Sequence, residues 1–242
     1  MNNTGLAELN SLKEKYQGVN LDIALNKIKN GYPIQYLIGN VDFYGNKILV
    51  SEDVLIPRYE TEFLVDLVIK KLGINYEGNI IDIGTGSGAI AISVAKALKN
   101  SIVTGIDISD KAIKVANKNV KENKLNNVRL NVIDVFKMQD FNEYDIIISN
   151  PPYISYDEEV GIETKHEPQN ALFADDDGLK FYIDIIKKAS LSKKITDIFF
   201  EIGMNQAKDI KKLKEEFLRE YQIDVYKDLA NKDRYIHIYL NK

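Results

Sequence analysis

Cysteine is absent from the 242-residue chain, which excludes a disulfide scaffold, thiolate catalysis, Cys-ligated zinc and iron–sulfur clusters. Histidine is nearly absent too. His166 and His237 lie far apart with no ligand spacing between them, and Asp175-Asp176-Asp177-Gly178 lacks the alternating acids of an EF-hand loop, so no metal is expected. The triple acid reads instead as a lead-in to a helix. A positive charge excess is missing as well: 36 acidic residues face 32 basic ones, for a net charge of −4, which disfavours bulk binding to phosphate backbones. Arginine supplies only Arg58, Arg129, Arg219 and Arg234. No apolar run is long enough to cross a bilayer and Met1 to Lys15 is polar, so neither a membrane span nor a secretory signal is expected, and a cytoplasmic protein is. What the chain does have is 45% hydrophobic residues, sufficient for a large core.

Periodicity divides the chain into three parts. Residues 1–40 carry apolar positions at helical spacing (Leu6, Leu9, Leu12; then Leu21, Ala24, Leu25, Ile28), interrupted by Gly18 and stopped by Gly31 and Pro33, which predicts two short helices. Residues 41–78 form a linker. Its Phe43 to Val50 segment holds Gly45-Asn46 as a hairpin turn, Val54 to Arg58 is extended, and Thr61 is placed to cap a helix with an apolar face at Leu64, Leu67, Val68 and Leu72. Residues 79–242 alternate short β-type runs with helical patterns, the mark of an α/β protein with a largely parallel sheet. Expected strands are Ile80 to Ile83, Ile102 to Asp107, Val128 to Ile133, Tyr144 to Ser149, Ile195 to Ile202, Gln222 to Leu229 and Tyr235 to Leu240. Expected helices between them are Ala89 to Leu98, Lys111 to Asn123, Leu179 to Leu191 and Gln206 to Tyr221. Only Ala230 to Arg234 separates the last two strands, and a parallel crossover needs about a dozen residues, so these two must be an antiparallel hairpin. Ile154 to Gly178 is a long stretch without a pattern, read as a lid or substrate loop.

Two motifs carry chemistry. Asp82-Ile83-Gly84-Thr85-Gly86-Ser87-Gly88-Ala89 runs from strand through a glycine turn into a helix, where missing Cβ atoms and inward N–H groups suit a nucleotide-type ligand. Nineteen residues after Gly88, Asp107 ends the next strand, placed to accept bonds from two ribose hydroxyls. The competing account is a tight turn with Asp107 capping the following helix. The pattern also fits the relaxed dinucleotide fingerprint, so an NAD enzyme stays open at this point. The second motif, Asn150-Pro151-Pro152-Tyr153, follows the fourth strand of the sheet, where open α/β sheets bind ligands. Its prolines restrict the backbone so that the Asn150 side-chain oxygen and the Pro151 carbonyl form two preorganised acceptors beside the flat face of Tyr153. Such a set suits a planar NH2, either a carboxamide or an exocyclic base amine. It would orient that nitrogen toward an electrophilic methyl and stabilise charge growing on it, with no general base. A proline-rich turn with a capping Asn is the plainer alternative.

With these motifs the chain resembles the class I S-adenosylmethionine-dependent methyltransferases, and among them the PrmC/HemK family of release-factor glutamine methyltransferases. Further matching residues are Leu55-Ile56-Pro57-Arg58, Glu60-Thr61-Glu62, Glu167-Pro168 before Ala171-Leu172, Lys227-Asp228-Leu229 and Asp233-Arg234. The resemblance implies a Rossmann-like, seven-stranded sheet with an antiparallel last strand, and S-adenosyl-L-methionine as cofactor. It implies a peptide chain release factor as protein partner, methylated on the glutamine of its Gly-Gly-Gln motif, with no nucleic acid or membrane partner. Residue by residue, Gly84, Thr85, Gly86, Ser87, Gly88 and Asp107 would hold the methionine part and ribose, with Asn150 beside them. Asp134 would lie near the adenine amine. Val135 stands where some relatives carry tryptophan, so adenine stacking there would be weaker or come from Phe136. Asn150, Pro151, Pro152 and Tyr153 would hold the substrate amide, and Arg58 would position the substrate loop. The longer helical N-terminal domain usual in the family would correspond here to the short helices of residues 1–40. An adenine-directed DNA or RNA methyltransferase shares the tetrapeptide but needs a target-recognition region and a basic cleft, which a short acidic chain does not offer. Glutamine methylation of a ribosomal protein is the other alternative. The lysines at 111, 114, 118 and 121 read as a solvated helix face.

Overall fold

A computed structural model of the protein describes residues 3–240. The chain begins with helices α1 (Asn3–Lys15), α2 (Val19–Lys29) and α3 (Ile34–Ile38). The third was not expected: Pro33, at φ −60°, precedes α3 as its N-cap, and Gly39, at φ 89°, closes its last turn. Leu12, Ala24 and Leu37 form a small core of their own between these helices. Strands β1 (Asn40–Phe43) and β2 (Asn46–Leu49) then make the hairpin. Its turn is Tyr44-Gly45, both at positive φ as a two-residue hairpin requires, one position before the turn read from the sequence. Asn46 is excluded from the turn because it is buried, its Nδ2 donating to Ser93 Oγ at 3.1 Å while its Oδ1 accepts from Lys96 Nζ at 2.6 Å.

Helix α4 (Thr61–Leu72) leads into the Rossmann-like unit: β3 (Asn79–Ile83), α5 (Ala89–Ala97), β4 (Ile102–Asp107), α6 (Asp110–Glu122), β5 (Val128–Val132) and β6 (Ile146–Ser149). The chain continues through α7 (Lys180–Leu191), β7 (Asp197–Glu201), α8 (Ala207–Phe217), β8 (Tyr221–Lys227) and β9 (Asp233–Leu240). The sheet order is β5-β4-β3-β6-β7-β9-β8, parallel from β5 through β7, with β9 inserted antiparallel between β7 and β8. The expected seven-stranded sheet and closing antiparallel hairpin are therefore present. Alternate residues of the central strands enter two different cores. Ile80, Ile146, Ile148 and Phe199 pack with α4 and α5, whereas Ile81, Ile83, Ile147, Ile198 and Phe200 pack with α7. Strands buried on both faces read as near-continuous apolar runs, which explains the unbroken Ile146-Ile147-Ile148.

Two local readings change. Thr61 does not cap α4: Glu60 is the N-cap, no side-chain capping bond forms, and the Thr61 hydroxyl donates instead to Glu201 Oε2 at 2.7 Å. The segment from Ile154 to Gly178 is not structureless, since it holds 3-10 turns at Ile162–His166 and Gln169–Ala171 and a parallel bridge from Ile154 to Phe173.

One buried side chain couples the hairpin to the glycine loop. Asn119 of α6, fully buried, accepts from Leu49 N at 2.7 Å and donates to Leu49 O and Ser87 O, each at 2.9 Å. Replacing it with alanine strands three backbone groups in the interior. Asn119→Ala is expected to lower stability by at least about 2 kcal/mol, read as a lower urea midpoint at unchanged slope. A midpoint within error of the parent would show that water replaces these bonds.

Candidate functional site

Strand β3 pairs with β4 on one side and β6 on the other, so the loops leaving the carboxyl ends of β3 and β6 part and leave a crevice. A cavity of about 340 Å³ occupies it, within the size range of small-molecule sites. Gly84, Gly86, Asp107, Asp134, Val135, Asn150 and Pro152 all line this cavity. A second cavity of about 40 Å³ adjoins it, lined by Arg58, Pro151, Tyr153 and Glu201, and the two share Leu55, Asn150 and Ala171.

In the glycine loop, Gly84, Gly86 and Gly88 have φ of 73°, 55° and 82°, a region disfavoured for residues with a Cβ. A Cβ at Gly84 would meet nothing within 4 Å, so that face of the backbone is open, whereas one at Gly88 would press on Ala116 at 3.2 Å. The first and last glycines thus act differently, one leaving approach free and the other allowing helix packing. Thr85 and Ser87 are buried behind the loop. Thr85 Oγ1 donates to Asp82 Oδ2 at 2.6 Å, and burial pushes the Asp82 carboxyl up to about 7 against that hydrogen bond.

Asp107 does not cap α6; Ser109 does, accepting from Ala112 N at 3.2 Å. The Asp107 carboxylate accepts from Gly86 N at 3.0 Å and from Ser109 N at 2.9 Å, one bond per oxygen. Each oxygen keeps a lone pair for a ligand. Burial raises this carboxyl above its ordinary range, opposed by the backbone N–H bonds. At the far end of the cavity Asp134 caps a short turn by accepting from Phe136 N at 3.0 Å, and Val135 is buried. The aromatic wall there is Phe136 with Phe181, ring centroids 4.9 Å apart. Phe181 escaped the sequence reading because it sits in α7, after the long loop.

Asn150 leaves the end of β6, which Ser149 Oγ ties to Ile83 O at 2.7 Å. Its Nδ2 donates to Thr61 Oγ1 at 3.1 Å, and its Oδ1 accepts no bond from the described residues. Tyr153 lies 5.9 Å beneath the Arg234 guanidinium, and burial pushes its hydroxyl up to about 12. Gln206 Nε2 holds the Tyr153 carbonyl at 3.1 Å. Gly178, at φ 77°, allows the return of the chain here, since a Cβ would come within 2.1 Å of Tyr153 O.

Both cavities share a roof made from the extended segment before α4 and the loop after β6. Glu167, almost fully buried, joins them: it accepts from Ile56 N at 3.1 Å and forms an ion pair with Arg58. Pro168, Asn170 and Ala171 then line the larger cavity. Arg58 therefore stands at the smaller cavity paired to the roof. Among the described residues no group of three or more His, Cys, Asp or Glu is arranged to hold a metal ion, and no helix is long and apolar enough to cross a membrane.

The strand order, the antiparallel β9 and the glycine loop opening on the crevice give this chain the fold of the class I S-adenosylmethionine-dependent methyltransferases. The hMettl16 catalytic domain, solved in complex with a MAT2A 3′UTR hairpin, shares that fold at a TM-score of 0.64 and 16% identity, over 82% of this chain and 77% of that one. Residues 60–175 match the Methyltransferase small domain family. The chain is 45% identical to the release factor glutamine methyltransferase of Fusobacterium nucleatum, over 93% of its own length and 65% of that relative's. It is 37% identical to that of Lactococcus lactis, over 96% of its own length and 88% of that relative's. The chain belongs to the release factor glutamine methyltransferase family, and it is a methyltransferase.

The roof gives a direct test. Glu167→Ala removes the partner of both Ile56 N and Arg58, so protease cleavage within residues 154–178 is expected to speed up at least about tenfold, ~1.4 kcal/mol of easier local opening. An unchanged cleavage rate would show that other contacts hold the roof.

Proposed function

We propose that the protein transfers a methyl group from S-adenosylmethionine to the side-chain amide nitrogen of the glutamine in the Gly-Gly-Gln motif of a peptide chain release factor. The observation that carries this reading is the meeting of the two cavities at Asn150, one of nucleoside size and one suited to a small planar group. The larger cavity suits the cofactor on its own terms: open backbone at Gly84, a carboxylate with free lone pairs at Asp107, and an aromatic wall at Phe136 and Phe181. Asp107 takes the ribose hydroxyls, the loop from Gly84 to Gly88 takes the methionine part, and Asp134 lies toward the adenine amine.

Asn150 Oδ1 and the Pro151 carbonyl receive the two amide hydrogens of the glutamine, and the Tyr153 ring packs on its plane. An amide nitrogen is a weak nucleophile because its lone pair is delocalised. The two acceptors hold it facing the larger cavity and stabilise positive charge that develops on it, and their fixed geometry avoids reorganisation during the step. S-adenosylmethionine supplies an electrophilic sulfonium methyl, so that the nitrogen–carbon bond forms as the carbon–sulfur bond breaks and one amide proton is released. The Ile154 to Gly178 segment covers the site, keeps water from it and meets the substrate loop, with Arg58 set at the entrance through Glu167.

The reading is tested by incubating the protein with methyl-labelled S-adenosylmethionine and a release factor and mapping the label. Label on the Gly-Gly-Gln side-chain amide is expected; label only on nucleic acid or on a ribosomal protein would overturn it. Asp107→Ala should weaken cofactor binding by ~1–3 kcal/mol in calorimetry, the usual loss when hydrogen bonds to a charged acceptor are removed. Asn150→Ala should retain cofactor affinity while turnover drops at least ~100-fold. Wild-type turnover in that variant would remove the tetrapeptide from the mechanism.

A further inference from the structure

The side-chain amide of Asn150 has two faces that differ only in which atom points outward, and nothing in its own backbone selects between them. Selection comes from a neighbour. Asn150 Nδ2 donates to Thr61 Oγ1 at 3.1 Å, and Thr61 Oγ1 donates onward to Glu201 Oε2 at 2.7 Å. Thr61 and Glu201 are both buried, and both are drawn from elements remote in sequence, the first residue of α4 and the last of β7. An ionised carboxylate only accepts, so the single Thr61 proton is committed to Glu201, and the Thr61 oxygen can then only accept from Asn150.

We propose that Thr61 and Glu201 are positioning residues that set the polarity of Asn150, holding its nitrogen toward the protein and its oxygen toward the cavity. The inference rests on the reading of Asn150 as the group that receives the substrate amide, and it extends that reading to Thr61, behind Asn150, and to Glu201, which borders the smaller cavity but acts here through Thr61. Glu201 is suited to the task by what surrounds it. Arg234 from β9 and Arg58 from the segment before α4 favour its charge; Glu60 opposes it; Tyr153, Tyr182 and Tyr235 face it from the loop after β6, from α7 and from β9. Burial outweighs the two arginines and pushes the carboxyl up to about 7. Below that pH a protonated Glu201 can itself donate to Thr61, which frees the Thr61 proton for an inverted Asn150 amide. The amide would then present a donor to a substrate that also donates. Turnover therefore falls as pH drops through about 7.

The test compares Thr61→Ser, Thr61→Val, Glu201→Gln and Asn150→Ala in the full chain, with release factor as substrate. Glu201→Gln conserves shape but brings an NH2 that the neighbouring arginines turn toward Thr61. Thr61→Val and Glu201→Gln are each expected to lower kcat at least about tenfold at pH 8, with cofactor affinity and KM within about threefold of the parent. Thr61→Ser, which keeps the hydroxyl, should stay within about threefold. The acid limb of the kcat profile should vanish in Glu201→Gln; Asp82, also pushed up to about 7, remains in that variant, so a surviving limb would assign the titration elsewhere and overturn the proposal. Independently of turnover, the Asn150 side-chain NH2 resonances, assigned by their loss in Asn150→Ala, should shift with pH in the parent and stay constant in Glu201→Gln. Parent-like kcat in Thr61→Val and Glu201→Gln with an inactive Asn150→Ala would overturn the relay and leave the role of Asn150 standing. An active Asn150→Ala would sink both. A Thr61→Ser as weak as Thr61→Val would assign the effect to packing and also overturn the proposal.

Discussion

The constraint on which the rest of the molecule depends is the reversal of strand order at β3. From β3 the chain builds outward through β4 to β5 on one side, then crosses back to place β6 on the other. Loops leaving neighbouring strands in opposite directions cannot cover the gap between them, so a crevice opens at the carboxyl ends of β3 and β6. Everything chemical gathers there. The glycine loop is the exit from β3, Asp107 the end of β4, Asp134 follows β5, Asn150 follows β6 and Glu201 ends β7.

That arrangement places acids where the sheet is driest, and the molecule handles them unequally. Asp107 faces the cavity and is supported by two backbone N–H groups, so its charge remains useful to a ligand. Asp82 and Glu201 lie beneath, each with one hydroxyl donor, Thr85 and Thr61, and burial raises both carboxyls to about 7. Folding therefore favours their protonated forms. Their contribution to stability is fully present below the ordinary carboxylate range and is lost as pH rises through about 7. The Glu201 charge, disfavoured by burial, is the one that orients the Thr61 hydroxyl.

The roof over the site is assembled from parts that have no fold in common. Glu167 binds the loop after β6 to the segment before α4, while Ile162 of the same loop packs so closely on Gly31 that a Cβ there would sit 2.9 Å from its side chain. Tyr32 meets His166 edge-on at 5.1 Å. The connection between α2 and α3 thus braces the loop, and the loop lines both cavities.

Much of this was legible in the sequence. The alternation of apolar runs and helical patterns specified the α/β sheet, and the short connection between the last two strands specified an antiparallel pair, because chain length alone forbids a crossover. The two motifs were local, a glycine turn and a proline-rigidified tetrapeptide, and local geometry is what a sequence encodes most directly. What it did not reveal were the long-range partnerships. Thr61 looked like a helix cap because Thr before an apolar periodic run usually is one, but a nearby buried carboxylate competes for its hydroxyl. Asn46 looked like a turn residue, but a buried site for its amide moved the turn by one position. Glu167 stood out only as part of the family resemblance and Glu201 carried no pattern at all, since each acquires its partner, 109 and 140 residues away, only when the sheet brings strand ends together. Periodicity and backbone restriction act within a few residues and are written in the sequence; the direction of a buried hydrogen bond depends on which distant group arrives beside it, and only the tertiary structure decides that.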